Sequence, residues 1–404
     1  MKILISTDKY YPYVSGVITS VMNLEKELTK RGHEVKILTL SETPYTHVDK
    51  NVIYIGSFSA KLIYPDIRLK HPVLRKVINS LIEWKPDIIH SNCEFSTFIL
   101  AKQIARTCKI PMVHTYHTDY EDYVHYVALS KELGVHIVKR YINYICGYMQ
   151  RIICPTQKTA DILTKYGIQQ PLDIIPTGLD LERFNAPITE TKRDELLTRY
   201  RLNKETPILL FIGRIGKEKN IEEVLRLLSK SKRKNFQFLI VGDGPDKMDL
   251  QKKVVEYGLN GKVTFTGMIP QQEVASFYKL GRLFISASQS ETQGLTYIEA
   301  LASGLPLLAK KDECLKDVVV NGENGYQFTT EAEFEEYFNK LLDLSDEEYK
   351  MMSDVAQKRT QEAFSLFSFC DKVLESYQKA LSKPVRSHFF KELYYRFAKV
   401  LPFV

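Results

Sequence analysis

The chain has 404 residues, more than one ordinary core holds and enough for two domains of roughly 150–200 residues each. Hydrophobic and charged contents of 44% and 26% are those of a globular protein, and no run of about 18 apolar residues gives reason to expect a transmembrane helix. The net charge of +7 admits an anionic partner, whether nucleic acid, an acidic membrane surface or a phosphorylated substrate, and equally a mildly basic cytosolic protein. Six scattered cysteines without a C-x-x-C pair suggest neither a zinc site nor a disulfide framework, and fit a reducing cytoplasm.

The N-terminal Met-Lys-Ile-Leu-Ile-Ser reads as a strand over residues 2–6 rather than as a signal peptide. Residues 16–31 have helical periodicity, with Val17, Val21, Leu24 and Leu28 on one face. Strands follow at 35–40, 52–55, 87–90, 111–115 and 151–155. This strand–helix alternation implies parallel βαβ units. A stretch rich in Thr, Arg, Lys and Glu at 185–205 breaks the rhythm and reads as an interdomain region. Strands at 208–212, 236–241, 263–266 and 283–286 then alternate with helices at 221–228, 247–257, 271–280 and 297–302. The expectation is α/β with two doubly wound sheets, each binding ligands beyond the carboxyl ends of its strands, and an active site in the cleft between them.

Three segments of the second half carry anion and sugar chemistry. The strand at 208–212 ends in Gly213-Arg214, and Lys219 follows; an Arg fork and a mobile Lys charge suit a departing diphosphate. Gly242-Asp243-Gly244-Pro245 allows a tight turn and close backbone approach, but lacks the G-x-G-x-x-G spacing of a dinucleotide fold. Glu291 and Glu299 flank Gln293-Gly294-Leu295-Thr296 at a helix start, where unpaired amides can hold phosphate. The two carboxylates are then left to accept hydrogen bonds from hydroxyls, Glu291 from a hexose and Glu299 from a ribose.

These residues resemble the GT-B family 4 glycosyltransferases. The family's E-x7-E pattern is met by Glu291 and Glu299, G-R-x4-K by Gly213, Arg214 and Lys219, V-G-x-G-P by Val241–Pro245, and P-x-G-x-D by Pro176, Gly178 and Asp180, with Phe184 after it. The likeness runs from Met1 to about Leu381. It implies two Rossmann-like domains, an acceptor-binding one at 1–195 and a nucleotide-sugar-binding one at 196–365, facing a central cleft, with residues 366–404 returning to the first. It further implies retaining transfer by front-face attack, in which the leaving phosphate assists deprotonation of the acceptor. His117, Glu291, Arg214 and Lys219 would then carry catalysis. Gly16, Arg214, Lys219, Met268, Ile269, Glu291, Gly294, Leu295, Thr296 and Glu299 would bind the donor. The family's usual Gly-Gly near the first strand is Ser15-Gly16 here, so only Gly16 is carried over. No cofactor is held tightly, no Asp-x-Asp metal motif occurs, and the resemblance implies no need for a divalent ion.

The aromatic and acidic run at 117–126, with Tyr120, Tyr123 and Tyr126, is similar to that of the bacterial diacylglycerol glucosyltransferases of this family. That likeness implies UDP-glucose as donor and 1,2-diacylglycerol as acceptor, with a glycolipid or a lipid-linked polysaccharide precursor as the alternative acceptor. Diacylglycerol stays in the bilayer, so the enzyme would work as a peripheral protein on the cytoplasmic membrane face. Near the C-terminus Phe389, Phe390, Leu393, Tyr394, Phe397 and Leu401 fall on one helical face, flanked by Lys383, Arg386, Lys391, Arg396 and Lys399. A basic helix with an aromatic side suits an anionic membrane; packing on the N-terminal domain is the other reading. Arg75 and Lys76, in the basic amphipathic stretch at 68–83, pose the same choice. Nucleic acid is not expected as a partner.

Overall fold

The structure is a computed structural model that describes residues 1–13, 15–59, 68–70, 75–118, 120 and 131–384. The chain divides into two units, Met1–Ile175 together with the residues from Phe369 onward, and Pro176–Ser368.

In the first unit the strands are β1 (Lys2–Ser6), β2 (Glu34–Leu40), β3 (His47–Asp49), β4 (Val52–Ile55), β5 (Ser57–Ser59), β6 (Arg68–Lys70), β7 (Ile88–Ser91), β8 (Met112–Thr115), β9 (Arg151–Cys154) and β10 (Leu172–Ile174). Eight of them form one sheet in the order β10-β9-β8-β7-β1-β2-β4-β3, parallel except for the β3–β4 pair, while β5 and β6 pair separately. Parallel sheets need apolar cover on both faces. β1 shows how the sequence supplies it: Ile3 and Ile5 enter one core, and Leu4 between them enters the other. The helices are α1 (Gly16–Lys30), α2 (Arg75–Trp84), α3 (Ser96–Cys108), α4 (Lys131–Cys146) and α5 (Gln157–Lys165). α1 begins where the Ser15 hydroxyl accepts from the Ile18 amide at 3.3 Å, an N-cap that satisfies one of the helix's orphan donors. Its buried stripe is Ile18, Val21, Leu24 and Leu28, so Ile18 takes the place expected for Val17.

The second unit has β11 (Ile208–Ile212), β12 (Gln237–Val241), β13 (Val263–Phe265), β14 (Leu283–Ser286), β15 (Leu307–Lys310) and β16 (Gly325–Phe328). All are parallel, in the order β13-β12-β11-β14-β15-β16. Its helices are α6 (Glu182–Asn185), α7 (Glu190–Arg199), α8 (Ile221–Lys230), α9 (Lys247–Glu256), α10 (Val274–Tyr278), α11 (Leu295–Ala302), α12 (Glu331–Leu342) and α13 (Asp346–Phe364). β11 again alternates: Ile208, Leu210 and Ile212 face one core, Leu209 and Phe211 the other. The last helix, α14 (Leu366–Leu381), buries Phe369, Cys370, Val373, Tyr377 and Ala380 among Ile3, Ile5 and Val21 of the first unit. There the Tyr377 hydroxyl meets His90 Nδ1 at 2.7 Å, and Ser376 Oγ donates to Asp173 at 2.7 Å.

Three expectations are corrected. The boundary falls at Ile175–Pro176 and not at residue 195, because Leu179, Leu181 and Phe184 are buried in the core of the second unit. The polar stretch at 185–205 is no linker either. It contains α7, whose Leu196 and Leu197 join the same core with Leu202 while its charged residues face outward. The stretch at 68–83 is not one amphipathic element: Arg68 to Lys70 form β6, and Arg75 to Trp84 form α2. Arg68 is tied to the Ser41 carbonyl (3.1 Å) and the Ser57 hydroxyl (2.7 Å), whereas Lys76 is exposed and Ile78 and Leu81 are core. Tyr123, Tyr126, Phe389, Phe390, Leu393, Tyr394, Arg396 and Phe397 and the Arg75 side chain lie outside the described residues.

Candidate functional site

Both sheets gather polar groups at their carboxyl edges, at the points where the strand order reverses. In the second unit the loops after β13, β12, β11 and β14 lie side by side. The loop after β11 carries Gly213-Arg214-Ile215, and the loop after β12 carries Gly242-Asp243-Gly244. They are locked backbone to backbone. The Ile215 amide donates to the Asp243 carbonyl at 2.9 Å, and the Asp246 amide to the Ile215 carbonyl at 3.2 Å. The glycines are required by contact. A Cβ on Gly242 would stand 2.0 Å from the Gly213 carbonyl oxygen, and one on Gly244 2.1 Å from that of Ile215. This close approach leaves Arg214 exposed on the rim. Met268, beyond β13, is 72% exposed, while Ile269 packs against the core.

Lys219 ends a short 3-10 turn that Asn220 closes in the left-handed region at φ 49°. The Asn220 amide is tied to Glu223 and to the Ala287 carbonyl (3.4 Å), and Lys310 holds Glu223 at 2.8 Å. So anchored, Lys219 Nζ lies 2.5 Å from Glu291 Oε1, and the Ser288 hydroxyl donates to the same oxygen at 3.1 Å. The two residues stand 72 positions apart in the chain. Both side chains are mostly buried, 21% and 17% exposed, so their attraction is weakly screened.

Gly294, at φ 71°, turns the chain into α11, and the first turn of that helix offers the amides of Leu295 and Thr296 without intrahelical acceptors. Such a helix start favours an anion. Glu299, one turn further on, is buried. It accepts from the Tyr278 hydroxyl at 2.9 Å and lies 4.0 Å from Arg183. Burial raises its pKa to about 7, against the opposing pull of Tyr278 and Arg183. Gln293 is buried against the backbone of Thr177.

In the first unit the loops after β1, β7 and β8 are neighbours. Asp8, after β1, accepts from the Thr97 amide (2.8 Å) and hydroxyl (2.7 Å) and the Ser96 amide (3.2 Å), capping α3. Glu94, after β7, is 5% exposed and receives His114 Nε2 at 3.2 Å and the Tyr120 hydroxyl at 2.6 Å. Burial pushes its pKa up, but these bonds outweigh that and hold it below the ordinary value. His117, after β8, sets Nε2 2.9 Å from Asn92 Oδ1, and the Asn92 amide nitrogen points to the His90 carbonyl, which makes Nε2 the protonated nitrogen. Burial lowers the His117 pKa to about 4, so the ring is neutral near pH 7. Gly16 is the first residue of α1.

The structure thus brings Lys219, Glu291, Gly294, Leu295 and Thr296 to one loop cluster, with Arg214 and Met268 on adjacent loops and Glu299 beneath. His117, Tyr120 and Gly16 belong to the first unit. Sequence reasoning passed over Asp8, Asn92, Glu94, Ser288 and Tyr278. Asp8 and Glu94 carried a signal, as acids in the loops just after the strands expected at 2–6 and 87–90.

Comparison with known proteins identifies the family and the fold. Residues 14–183 match the family described as Glycosyltransferase Family 4, and residues 192–359 match Glycosyl transferases group 1. The alpha-monoglucosyldiacylglycerol synthase of Streptococcus pneumoniae is 37% identical over 323 residues, 79% of this chain and 73% of that protein. The chain is a family 4 glycosyltransferase. The synthase of the same name from Acholeplasma laidlawii is 31% identical over 82% of this chain and 86% of its own. Among solved structures, Anabaena HepE in complex with UDP-glucose has a TM-score of 0.74 at 15% identity, covering 94% of this chain and 99% of its own. A glycosyltransferase from Rickettsia africae has a TM-score of 0.75 at 18% identity, covering 95% and 99%. The two Rossmann-like units are those of the GT-B fold, and the enzyme is a hexosyltransferase of that fold. No helix of the described residues is long and apolar enough to cross a membrane.

Proposed function

We propose that this glycosyltransferase transfers glucose from UDP-glucose to 1,2-diacylglycerol with retention, making α-monoglucosyldiacylglycerol. The observation that carries the reading is the likeness to two synthases of that name at 37% and 31% identity. The UDP-glucose complex of a structural neighbour supports the donor assignment.

In this reading the amides at Gly294, Leu295 and Thr296 hold the diphosphate at the start of α11. Lys219 and Arg214 take up the charge that grows on the leaving oxygen as the anomeric bond breaks. Glu291 serves twice: its Oε1 fixes Lys219, and its other oxygen accepts from a hexose hydroxyl. Glu299 accepts from the ribose, and Met268 and Ile269 present backbone groups to the base. His117, a neutral imidazole, bonds the hexose near the reacting carbon, and Gly16 lets the α1 entrance approach the donor. The acceptor proton passes to the leaving phosphate, so no side chain is assigned as a general base. Tyr120, beside the run at 121–126, belongs to the acceptor side.

Diacylglycerol stays in the bilayer, so the enzyme works as a peripheral protein on the cytoplasmic face. Lys76 and the basic, aromatic segment with Phe389, Phe390, Arg396 and Phe397 supply the attraction for anionic lipid, at about 1 kcal/mol per basic group. The test is transfer of labelled hexose from UDP-glucose and from UDP-galactose into diacylglycerol vesicles. Label from UDP-glucose alone supports the reading. Label only when the vesicles already carry a glycolipid overturns the acceptor.

A further inference from the structure

Gln293 stands between Glu291 and Gly294 and is 4% exposed. Its carboxamide makes both of its hydrogen bonds to the backbone of one residue 116 positions away: Oε1 accepts from the Thr177 amide at 2.9 Å, and Nε2 donates to the Thr177 carbonyl at 3.1 Å. The pairing copies one rung of a β-ladder with a side chain. An amide offers a donor and an acceptor side by side at any pH, and a carboxyl does so only when protonated; a carboxylate offers two acceptors and an apolar chain neither. A buried amide is costly to desolvate unless both ends are matched, and an apolar side chain would fill the same space without that cost.

The segment that Gln293 grips is itself tied down. Thr177 follows Pro176, the first residue of the second unit. Two residues later the Leu179 amide donates to the Phe364 carbonyl at 2.9 Å, and Leu179 bridges Ser365, close to where the chain leaves the unit. One short stretch, residues 176–180, therefore joins the entry of the chain, its exit and the loop at 288–294. On the other side of Gln293 that loop holds Glu291 against Lys219 and turns at Gly294 into α11.

We propose that Gln293 is a positioning residue for the nucleotide sugar. By clamping the loop at 288–294 to the backbone of Thr177, it fixes Glu291 and the amides at the head of α11 in the arrangement that receives the donor. The inference rests on the donor reading of that loop. It predicts an effect on donor binding and none on the acceptor.

The test uses the full-length enzyme and two variants, Gln293→Met and Gln293→Glu. UDP affinity is measured by calorimetry, together with kcat, the KM for UDP-glucose, the KM for diacylglycerol and the melting temperature. Gln293→Met is expected to raise the UDP Kd and the donor KM roughly tenfold or more and to leave the diacylglycerol KM unchanged. Gln293→Glu is expected to do the same at pH 8, where a carboxylate oxygen in the place of Nε2 would face the Thr177 carbonyl oxygen. Its donor KM should return toward wild type at pH 6, as a protonated carboxyl donates where Nε2 did. Each value is read as a ratio to wild type at the same pH, which removes the titration of Glu299. A purely structural role would lower the melting temperature without altering the donor KM or its pH dependence. Unchanged donor KM and UDP Kd in both variants overturn the proposal while the donor reading stands. If wild type itself binds neither UDP nor UDP-glucose, the donor reading fails and the proposal with it. Should Gln293→Met not fold, the pH dependence of Gln293→Glu decides alone.

Discussion

In the proposed reaction Lys219 and Glu291 act as one device, and a double-mutant cycle tests that. The pair is 2.5 Å apart and mostly buried, and the Glu291 oxygen it uses also takes the Ser288 hydroxyl. A hydrogen bond between charged groups contributes about 1.5–3 kcal/mol. Loss of a donor aimed at transition-state charge typically costs ~100- to 1,000-fold in kcat, about 2.7–4 kcal/mol. Lys219→Ala is therefore expected to lower kcat/KM for UDP-glucose by that factor, and Glu291→Gln by ~100-fold, since the hexose contact and the anchor of Lys219 go together. In the double variant most of the loss has already occurred, so it should fall no more than about tenfold below the worse single. That corresponds to a coupling of at least about tenfold, about 1.4 kcal/mol, within the range for residues in direct contact. Lys219→Arg should not rescue, because a planar fork does not fit a site built around a point charge. The assay is initial-rate transfer at subsaturating donor. Losses that simply multiply in the double variant would refute the reasoning.

Four further outcomes are expected. Gly244→Ala forces a Cβ 2.1 Å from the Ile215 carbonyl oxygen, so the two loops must part; a loss of about 1–3 kcal/mol in urea unfolding, with weaker UDP binding, is expected, and a wild-type midpoint would contradict it. Glu299, with its folded pKa raised to about 7 by burial, contributes stability that is complete below its unfolded value and is lost as pH rises through 7; Glu299→Gln should gain on wild type, by on the order of 3 kcal/mol, between pH 5 and pH 8, and parallel stability curves would contradict this. His117, lowered to about 4, should give no acid limb near pH 6.5 in the rate profile of the Glu299→Gln enzyme, and a limb there that His117→Gln abolishes would show the ring to be ordinary. Removal of residues 385–404 deletes Arg386, Lys391, Arg396 and Lys399 and should weaken flotation with anionic vesicles far more than with neutral ones; equal loss on both would remove the electrostatic part of the account.

The elements that could be read from the chain are those whose pattern is local. β1 and β11 alternate between two cores, so each residue carries a face assignment, and both were expected at their observed bounds. β15 and β16 were passed over. β15 follows α11 after only four residues, Ser303–Pro306, and is itself only four residues long, and β16 starts on a glycine and includes a half-buried Gln327. The unit boundary was misplaced for a related reason. Polar content at 185–205 suggested a linker, but Leu196, Leu197 and Leu202 suffice to anchor an amphipathic helix, whereas the crossing at Ile175–Pro176 sits in the mixed run Asp173-Ile-Ile-Pro-Thr-Gly-Leu179, with no polar stretch to mark it. For the site, the residue types after each strand were legible, because loops at the carboxyl edge of parallel sheets are where ligands bind. Their pairings were not. Lys219 finds Glu291 across 72 residues and Gln293 finds Thr177 across 116, and nothing local in either sequence segment marks its partner.

The central claim is the reaction itself, and it is tested most directly by the structure of the lipid product. Purified enzyme, UDP-glucose and diacylglycerol vesicles containing anionic lipid would be incubated, and the extracted lipid examined by mass spectrometry and by the proton coupling at its anomeric carbon. The account predicts diacylglycerol carrying a single hexose in the α configuration. A β-linked product, or a lipid that gains hexose only when it already bears a sugar, would contradict it.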